Sequence, residues 1–532
     1  MPEEGEGNGL FCIVEADVKS VAAFRASVIV KVYAATRIDE EFGPLPGAVA
    51  IAVYIAVLAH VTPISPHSIG IIYPYRPNKG TALCMEKKGK KLYMVGIDSA
   101  PLWLIKELTE NGIAAGFSRF LKNGSISEME STLPPMTGAA WPSIYTGLPP
   151  GEHGVPDFFE IKGDYSQQLI FYDPRQNPPF WELLAESGLR CLVITPATDT
   201  KLSDNGNIDM ITGFPLKPKS SPSISSVVEK HDFSGEPDVE KMIKSRDISI
   251  AQAAGILADS ARRRAAISRE LLESGSYDFV FVCFTETDRI QHFALSDPHR
   301  RTLVYSVYRE ISDFINYLIG ISDKEGGSLL LVSDHGAQPI ANKFLINSYL
   351  EKHSYISLPE RQKGNANGSR LHHLDFDIAR TKAFAALSYG AVCSIWINDK
   401  RFESCAVTEE ERPSVKAELM DLLRAARSAE GDKVFCEVID AKDYYLGTTK
   451  FIAPDIFVQA KEGYVIDIFS FSDSNFLKPE DSKSGDHTRH GIIGIHPSSS
   501  AVMPSNPCVL DVAPAVLHYF GIGRRDHGTD QT

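Results

Sequence analysis

The chain of 532 residues carries a net charge of −14, with 43% hydrophobic and 23% charged residues. This composition is typical of a soluble globular protein that is long enough to bury one large core or two to three ordinary ones. The acidic balance argues against a nucleic-acid polymer as the partner, because phosphate backbones require a basic surface; a small anionic substrate could still bind where metal ions supply positive charge.

Residues 1–84 form an N-terminal extension of uncertain structure. Its apolar run, residues 47–59, is too short to span a bilayer comfortably, and acidic residues precede it where a signal peptide would carry positive charge. Two interpretations stay open: an extension without stable structure, or a segment that contacts a membrane. The eight cysteines contain no C-x-x-C pair, as expected in a reducing compartment. We therefore expect a cytoplasmic protein, with membrane association as the alternative if the apolar run is an anchor.

From residue 91 onward, strand patterns alternate with helix patterns. The strand patterns are near-continuous apolar runs, which are typical of parallel strands buried on both faces. They lie at residues 91–98, 190–196, 277–288 and 328–336. Three of the runs end in a carboxylate, at Asp98, Asp288 and Asp334. Ligand sites of open α/β sheets lie at the carboxyl ends of strands, so we expect these three carboxylates at one edge of a mostly parallel sheet.

The alternation stops between residues 339 and 451, where polar, turn-rich sequence surrounds one strand pattern and one helix pattern. We interpret this stretch as a smaller α+β insertion that caps the sheet edge. The predicted organisation is therefore an extension at 1–84, a core at 85–338 and 452–532, and an insertion at 339–451.

Histidines and carboxylates in close sequence pairs are the strongest chemical signal. Together they make six candidate metal ligands: Asp98, Asp288, His292, Asp334, His335 and His487. Each one is weak evidence alone, because an aspartate at a strand end is usually a helix cap. As a set, mixed nitrogen and oxygen donors favour zinc, or manganese and iron, over calcium or magnesium. Six ligands could fill two sites, and two metals about 4 Å apart can bind both the attacking and the leaving oxygen of a phosphoryl transfer.

The turn-rich segment 133–155 supplies candidate hydroxyl nucleophiles, since reactive side chains are often displayed on turns of a rigid scaffold. Its hydroxyls are those of Thr137, Ser143 and Thr146. Ser143 falls in a predicted helix, and Thr146 precedes a glycine, where turn and capping chemistry is the ordinary role. The residues alone leave the choice open.

The order of these motifs resembles the alkaline phosphatase superfamily and, within it, the type I phosphodiesterase/nucleotide pyrophosphatase branch. The resemblance runs from about residue 91 to residue 528 and is carried by TGAAWPSIYTGLPPGEHG, TETDRIQH, SDHG and GDHTRHG. It implies a three-layer α/β/α alkaline-phosphatase-like core with a mostly parallel sheet. Residues 1–84 have no counterpart in it.

The resemblance also implies roles for individual residues. The family's nucleophilic threonine lies nine residues before the threonine of the later Thr-Gly pair, Thr146, which gives Thr137. One metal would be held by Asp288, His292 and His487, and the other by Asp98, Thr137, Asp334 and His335. The implied enzyme hydrolyses a small anionic phosphodiester or pyrophosphate through a phosphothreonine, with two divalent ions, zinc being favoured over manganese or iron.

Three alternatives stay open. A phosphomonoesterase or a phosphonate hydrolase of the same superfamily is compatible with a threonine nucleophile. A catalytically silent binding protein that retains the fold is disfavoured by intact ligands at all six positions.

Two expectations concern arginines. Arg289, which lies between two candidate ligands, could reach a phosphoryl oxygen. The run of Arg262, Arg263 and Arg264 is expected to form a solvated helix face.

Overall fold

The computed structural model describes residues 91–522, except 361–367, 429–430, 446–448, 473–474, 481–482 and 503, together with three two-residue strands before residue 91. In the first half the strands are β1 (Cys12–Ile13), β2 (Lys31–Val32), β3 (Cys84–Met85), β4 (Leu92–Ile97), β5 (Ser125–Glu130), β6 (Phe159–Ile161), β7 (Gln167–Leu169), β8 (Cys191–Ile194), β9 (Ile208–Ile211) and β10 (Phe279–Phe284). In the second half they are β11 (Ser328–Val332), β12 (Gly336–Pro339), β13 (Asn342–Leu345), β14 (Ala383–Tyr389), β15 (Val392–Ile397), β16 (Phe435–Asp440), β17 (Ile456–Ala460), β18 (Tyr464–Asp467), β19 (Leu477–Pro479), β20 (Gly485–Thr488), β21 (His490–His496) and β22 (Ala501–Val502).

Helices of very different length connect these strands. They are α1 (Leu102–Glu110), α2 (Ala115–Asn123), α3 (Thr137–Thr146), α4 (Pro150–His153), α5 (Phe180–Glu186), α6 (Ser225–Lys230), α7 (Val239–Lys244), α8 (Ile250–Ser274), α9 (Glu286–Ala294), α10 (Pro298–Glu325), α11 (Ile346–Lys352), α12 (Arg412–Ala425) and α13 (Val512–Tyr519). Within the described residues, no helix is both long enough and apolar enough to cross a bilayer.

A seven-stranded sheet lies at the centre, in the order β5-β21-β11-β4-β10-β8-β9. The five strands from β11 to β9 run parallel to one another. At the other edge, β21 is antiparallel to β11, and β5 is antiparallel to β21. The sheet is therefore mostly parallel, as the apolar runs predict.

Helices cover both faces of this sheet. Side chains alternate between the faces of a strand, so Val95 and Ile97 of β4 lie in one core cluster with residues of α8 and α10. Leu92 and Met94 of the same strand lie in a second cluster with residues of α3, α5 and α13. The prediction of a three-layer α/β/α core is confirmed.

A second, antiparallel sheet has the order β14-β15-β17-β16. Its apolar face packs with side chains of α11 and α12 in a cluster of its own. Three of its strands fall within the predicted insertion 339–451, and β17 follows residue 451. The domain boundaries themselves stay a prediction.

For the predicted extension 1–84, the structure describes two antiparallel strand pairs, β1–β2 and β3–β22. The apolar run 47–59 lies outside the described residues.

The arginine run on α8 is only partly a solvated face. Arg262 pairs with Glu310 and Arg263 with Asp259 near the surface. Arg264, however, is 2% exposed and pairs with Glu286, which is wholly buried. The expectation for Arg264 is therefore wrong, because the helix is covered on this side and the side chain must find a buried counter-charge.

Candidate active site

Thr137 is the first residue of α3, and the residue is 6% exposed. Its hydroxyl donates to Asp98 Oδ1 at 3.4 Å and lies 3.3 Å from His335 Nε2. Trp141, one turn further along the helix, donates from Nε1 to Asp98 Oδ2 at 3.4 Å. Because helix N-termini carry partial positive charge, an anion next to Thr137 would be stabilised.

Three adjacent strands bring the carboxylates to this point. Asp98 directly follows β4, which lies between β10 and β11 in the sheet. Asp334 and His335 follow β11, and both are wholly buried. His335 Nε2 lies 3.2 Å from Asp334 Oδ2 and 3.6 Å from Asp98 Oδ1. These three residues and Thr137 therefore converge as one group.

A second group forms around Asp288, which lies in the first turn of α9 after β10. Its Oδ1 atom is 3.2 Å from His487 Nε2 and 3.4 Å from His292 Nε2. His292 is one turn further along α9, and His487 lies on β20. The His335 and His487 rings stack with centroids 4.0 Å apart, so the two groups are contiguous.

All three histidines present the same nitrogen to the carboxylates. His292 Nδ1 lies 3.0 Å from the carbonyl oxygen of Gly485, and His487 Nδ1 lies 3.0 Å from that of Pro135. His335 Nδ1 lies 3.1 Å from the carbonyl oxygen of Gly336. A carbonyl oxygen can only accept, so each Nδ1 carries a proton that it donates. Nε2 of each ring is thereby directed into the cluster, as in metal-bound histidines.

The cluster leaves buried polar atoms without partners. Asp288 Oδ1, Asp334 Oδ2 and His487 Nε2 have no hydrogen bond among the described residues. Burial lowers the pKa of His335 and of His487, with repulsion between these two rings adding to the shift of His487. A neutral imidazole nitrogen facing a carboxylate oxygen is unfavourable unless a cation lies between them, so the residues fit bound metal ions.

The carboxylates also carry uncompensated negative charge. Burial, with repulsion from Asp334 and Asp288, raises the pKa of Asp98 well above its usual range. Burial likewise raises the pKa of Asp334, to about 7. Burial acts in the same direction on Asp288, but its two histidine neighbours, His292 foremost, outweigh it and bring its pKa well below the ordinary value. Divalent cations would favour the ionised form of all three.

The two competing hydroxyls are engaged elsewhere. Ser143 Oγ lies 2.9 Å from His153 Nε2, and Val155 N donates to the other nitrogen of that ring. Thr146 Oγ1 donates to the carbonyl oxygen of Pro142 at 2.7 Å and accepts from Leu148 N at 3.1 Å, which is the turn chemistry expected of it.

Sequence reasoning missed Asp486, the residue before His487. It is 4% exposed, accepts from Lys483 Nζ at 2.8 Å, and forms with His292 and His487 a third group of potential metal ligands. Burial raises the pKa of Asp486, but Lys483 and the histidines outweigh this and lower it below the usual range. The GDH motif contained the signal, because an aspartate beside a ligand histidine can contact the same cation.

A family model described as type I phosphodiesterase/nucleotide pyrophosphatase matches residues 92–492, which include every residue of this cluster. The chain belongs to this family. It is accordingly a phosphoric-ester hydrolase of the alkaline phosphatase superfamily, and its family is typically metal-dependent. A comparison with curated proteins finds no match.

Solved structures with a similar fold include phosphonoacetate hydrolase from Sinorhizobium meliloti 1021 in complex with phosphonoformate. The hydrolase sequence is 14% identical to that of this type I phosphodiesterase family member, and the TM-score between the two structures is 0.52. The match covers 82% of this chain and 99% of the hydrolase. Murine ectonucleotide pyrophosphatase/phosphodiesterase 5 has 14% identity and a TM-score of 0.47, over 83% of this chain and 97% of its own. The human protein has 13% identity with the same TM-score and coverage.

Proposed function

We propose that this protein hydrolyses a phosphodiester or pyrophosphate bond of a small anionic ester, through a covalent intermediate on Thr137 at a two-metal site. The observation that carries the proposal is the position of the Thr137 hydroxyl. It lies at a helix N-terminus, within 3.4 Å of both Asp98 and His335. This is the arrangement required of an alcohol that must lose its proton and attack phosphorus.

Each proposed metal has its own set of protein ligands. Asp288, His292 and His487 would hold one, and Asp98, Thr137, Asp334 and His335 the other, with zinc favoured over manganese or iron. When bound, these cations would supply charge stabilisation for the attacking and leaving oxygens of the displacement.

The protein's own groups then account for two displacements. Thr137 Oγ forms a bond to phosphorus as the bond to the leaving oxygen breaks, and the proton that Thr137 loses ends on the departing group. Asp98, which accepts the hydrogen bond of Thr137, orients the hydroxyl for attack. The threonyl intermediate keeps the second ester substituent of the substrate. Water then displaces Thr137 Oγ, so that a phosphate monoester is released and the hydroxyl is restored. The N-terminus of α3 stabilises the phosphoryl charge in both steps.

A comparison of Thr137→Ala with Thr146→Ala tests the nucleophile, because both variants remove one hydroxyl from the same helix. Protein reconstituted with Zn²⁺, Mn²⁺ or Fe²⁺ would be assayed with bis-p-nitrophenyl phosphate and a nucleoside 5′-monophosphate p-nitrophenyl ester. We expect Thr137→Ala to lose turnover by at least about 1,000-fold. Thr146→Ala should keep its turnover and lose about 1 kcal/mol of stability, the typical net contribution of one hydrogen bond.

Further arms of this assay separate the alternatives. Faster turnover of p-nitrophenyl phosphate or of phosphonoacetate would replace the diesterase proposal with a monoesterase or a phosphonate hydrolase. Metal analysis should find about two divalent ions per chain. Protein that binds metals but hydrolyses none of these substrates would favour a silent binding protein, and Thr137→Ala with wild-type turnover would refute the nucleophile.

A further inference from the structure

Arg289 lies inside the metal-ligand motif of α9. It directly follows Asp288 and precedes His292 by three residues, so Arg289 and His292 share one side of the helix. Its side chain is 22% exposed. A long cationic side chain therefore extends from a position between two proposed ligands of one metal.

Two contacts fix the guanidinium. Arg289 Nε donates to Glu236 Oε1 at 2.9 Å, and the Arg289 Cζ atom lies 4.3 Å from the centroid of the Phe214 ring. Glu236 is itself held, because its other oxygen accepts from Thr285 Oγ1. Among the described residues, no other hydrogen bond or ion pair engages Arg289. Both Nη groups are consequently available to an anion.

The residues that hold Arg289 are connected by packing contacts to α3, the helix that carries the proposed nucleophile. Phe214 packs edge-to-face against Phe158, with ring centroids 5.8 Å apart. Phe158 in turn closes on Gly138, where a Cβ atom would lie only 2.9 Å from the Phe158 nitrogen. Gly138 directly follows Thr137. Arg289, Phe214 and Phe158 therefore form one packed wall that ends beside the proposed nucleophile.

The guanidinium of Arg289 is a permanent cation, because arginine does not lose its proton in proteins. It lies against the carboxylate of Glu236 and directly follows Asp288 in α9, so its positive charge stands beside the negative groups of the site.

We propose that Arg289 binds non-bridging oxygens of the phosphoryl group that is transferred, with Glu236 and Phe214 as positioning residues. This inference rests on the proposed function of the same site. A guanidinium held at Nε presents its two Nη donors side by side, which matches two phosphoryl oxygens. A monoester dianion presents more negative charge to this cation than a diester monoanion does. Arg289 should therefore contribute more to the binding and turnover of monoesters.

Arg289→Met removes the charge while keeping an unbranched side chain, and Arg289→Lys keeps the charge without the paired donors. Arg263→Met is the matched control, because Arg263 is paired with Asp259 on the surface of α8. For each metal-loaded variant, kcat and KM would be measured with p-nitrophenyl phosphate and bis-p-nitrophenyl phosphate. The Kd of inorganic phosphate, the metal content and the thermal unfolding would be measured alongside.

For Arg289→Met we expect kcat/KM to fall about 100-fold with the monoester and about 10-fold with the diester, with phosphate affinity weakened about 10- to 100-fold. The metal content should not change. Arg289→Lys should recover part of the loss, and Glu236→Gln should show a smaller loss with the same preference for monoesters. Arg263→Met should behave as wild type.

Equal losses for the two substrates with unchanged phosphate affinity would overturn the inference, since a purely structural ion pair predicts this result. The proposed function is tested separately by Thr137→Ala, which should abolish turnover yet retain phosphate binding. A wild-type protein that hydrolyses neither ester would refute the function. An active wild-type enzyme whose phosphate affinity is unaffected by Arg289→Met would refute only the role of Arg289.

Discussion

Substitution of Gly138, the residue after Thr137, is the most direct test of how tightly the nucleophile is positioned. A Cβ atom at Gly138 would lie 2.9 Å from Phe158 N, 3.1 Å from Asp157 C and 3.1 Å from Phe158 Cδ1. Two of these atoms belong to the backbone, which cannot rotate away as a side chain can. This backbone is also held by Ile170 N, which donates to the Phe158 carbonyl oxygen at 2.8 Å. Either segment 157–158 or the first turn of α3 must therefore move by about 0.5 Å to restore ordinary contact.

Two opposing terms set the effect of Gly138→Ala on stability. Overpacking a close contact costs about 1–3 kcal/mol, while replacing a helical glycine by alanine gains about 1 kcal/mol. We expect a net loss of up to about 2 kcal/mol in the free energy of unfolding. Because a misplacement of about 1 Å can cost about 100-fold in rate, a shift of half that size should lower kcat about 10-fold.

Gly255→Ala supplies the matched control. Gly255 lies within α8, and a Cβ atom there would meet nothing within 4 Å. The same chemical change should therefore raise stability by about 1 kcal/mol and leave kcat unchanged. Urea unfolding and turnover of the nucleotide ester measure both quantities. If Gly138→Ala were as stable and as active as Gly255→Ala, the argument from close packing beside Thr137 would be refuted.

Three further predictions concern stability. Burial lowers the pKa of His153 to about 3, and the Nδ1 atom of this ring accepts a hydrogen bond from Val155 N. The folded state therefore keeps the ring neutral, whereas the ring is protonated near pH 6.5 in the unfolded chain. Stability is therefore lost as the pH falls below that value. Between about pH 7.5 and pH 5, the free energy of unfolding of wild type, measured by urea unfolding, should fall by about 2 kcal/mol relative to that of His153→Asn. Parallel pH profiles of the two proteins would contradict this. Arg264→Met should lower the free energy of unfolding by about 3–5 kcal/mol, because Glu286 stays buried without its counter-charge. The double variant with Glu286→Gln should recover most of this loss. An Arg264→Met variant as stable as wild type would show that Glu286 is neutral. Chelation should lower the melting temperature. Zn²⁺ at about 100 times its wild-type Kd should restore about 2.7 kcal/mol per occupied site in wild type but less in Asp288→Asn; equal shifts would exclude Asp288 as a ligand.

The layered core could be predicted from the sequence because its signals are local. A near-continuous apolar run such as the one ending at Asp98 is typical of a strand buried on both faces, and helix patterns between such runs favour parallel connections. The carboxyl ends of these strands must then share one edge, which predicted that Asp98, Asp288 and Asp334 would converge. The resemblance to a family pointed to Thr137, which the hydroxyl pattern alone left open.

Other features depended on contacts between segments far apart in the chain. The burial of Arg264 is set by what covers one side of α8, and a run of three arginines carries no signal of that covering. Asp486 became a candidate ligand only when β20 was seen to place it beside His292 and His487.

The available nitrogen of each histidine was likewise decided by tertiary structure. His487, for example, presents Nε2 to the cluster because its Nδ1 faces the carbonyl oxygen of Pro135. The chain thus encodes which chemical groups reach the sheet edge through local periodicity. Their orientation, burial and partners depend on long-range packing, which no local pattern specifies.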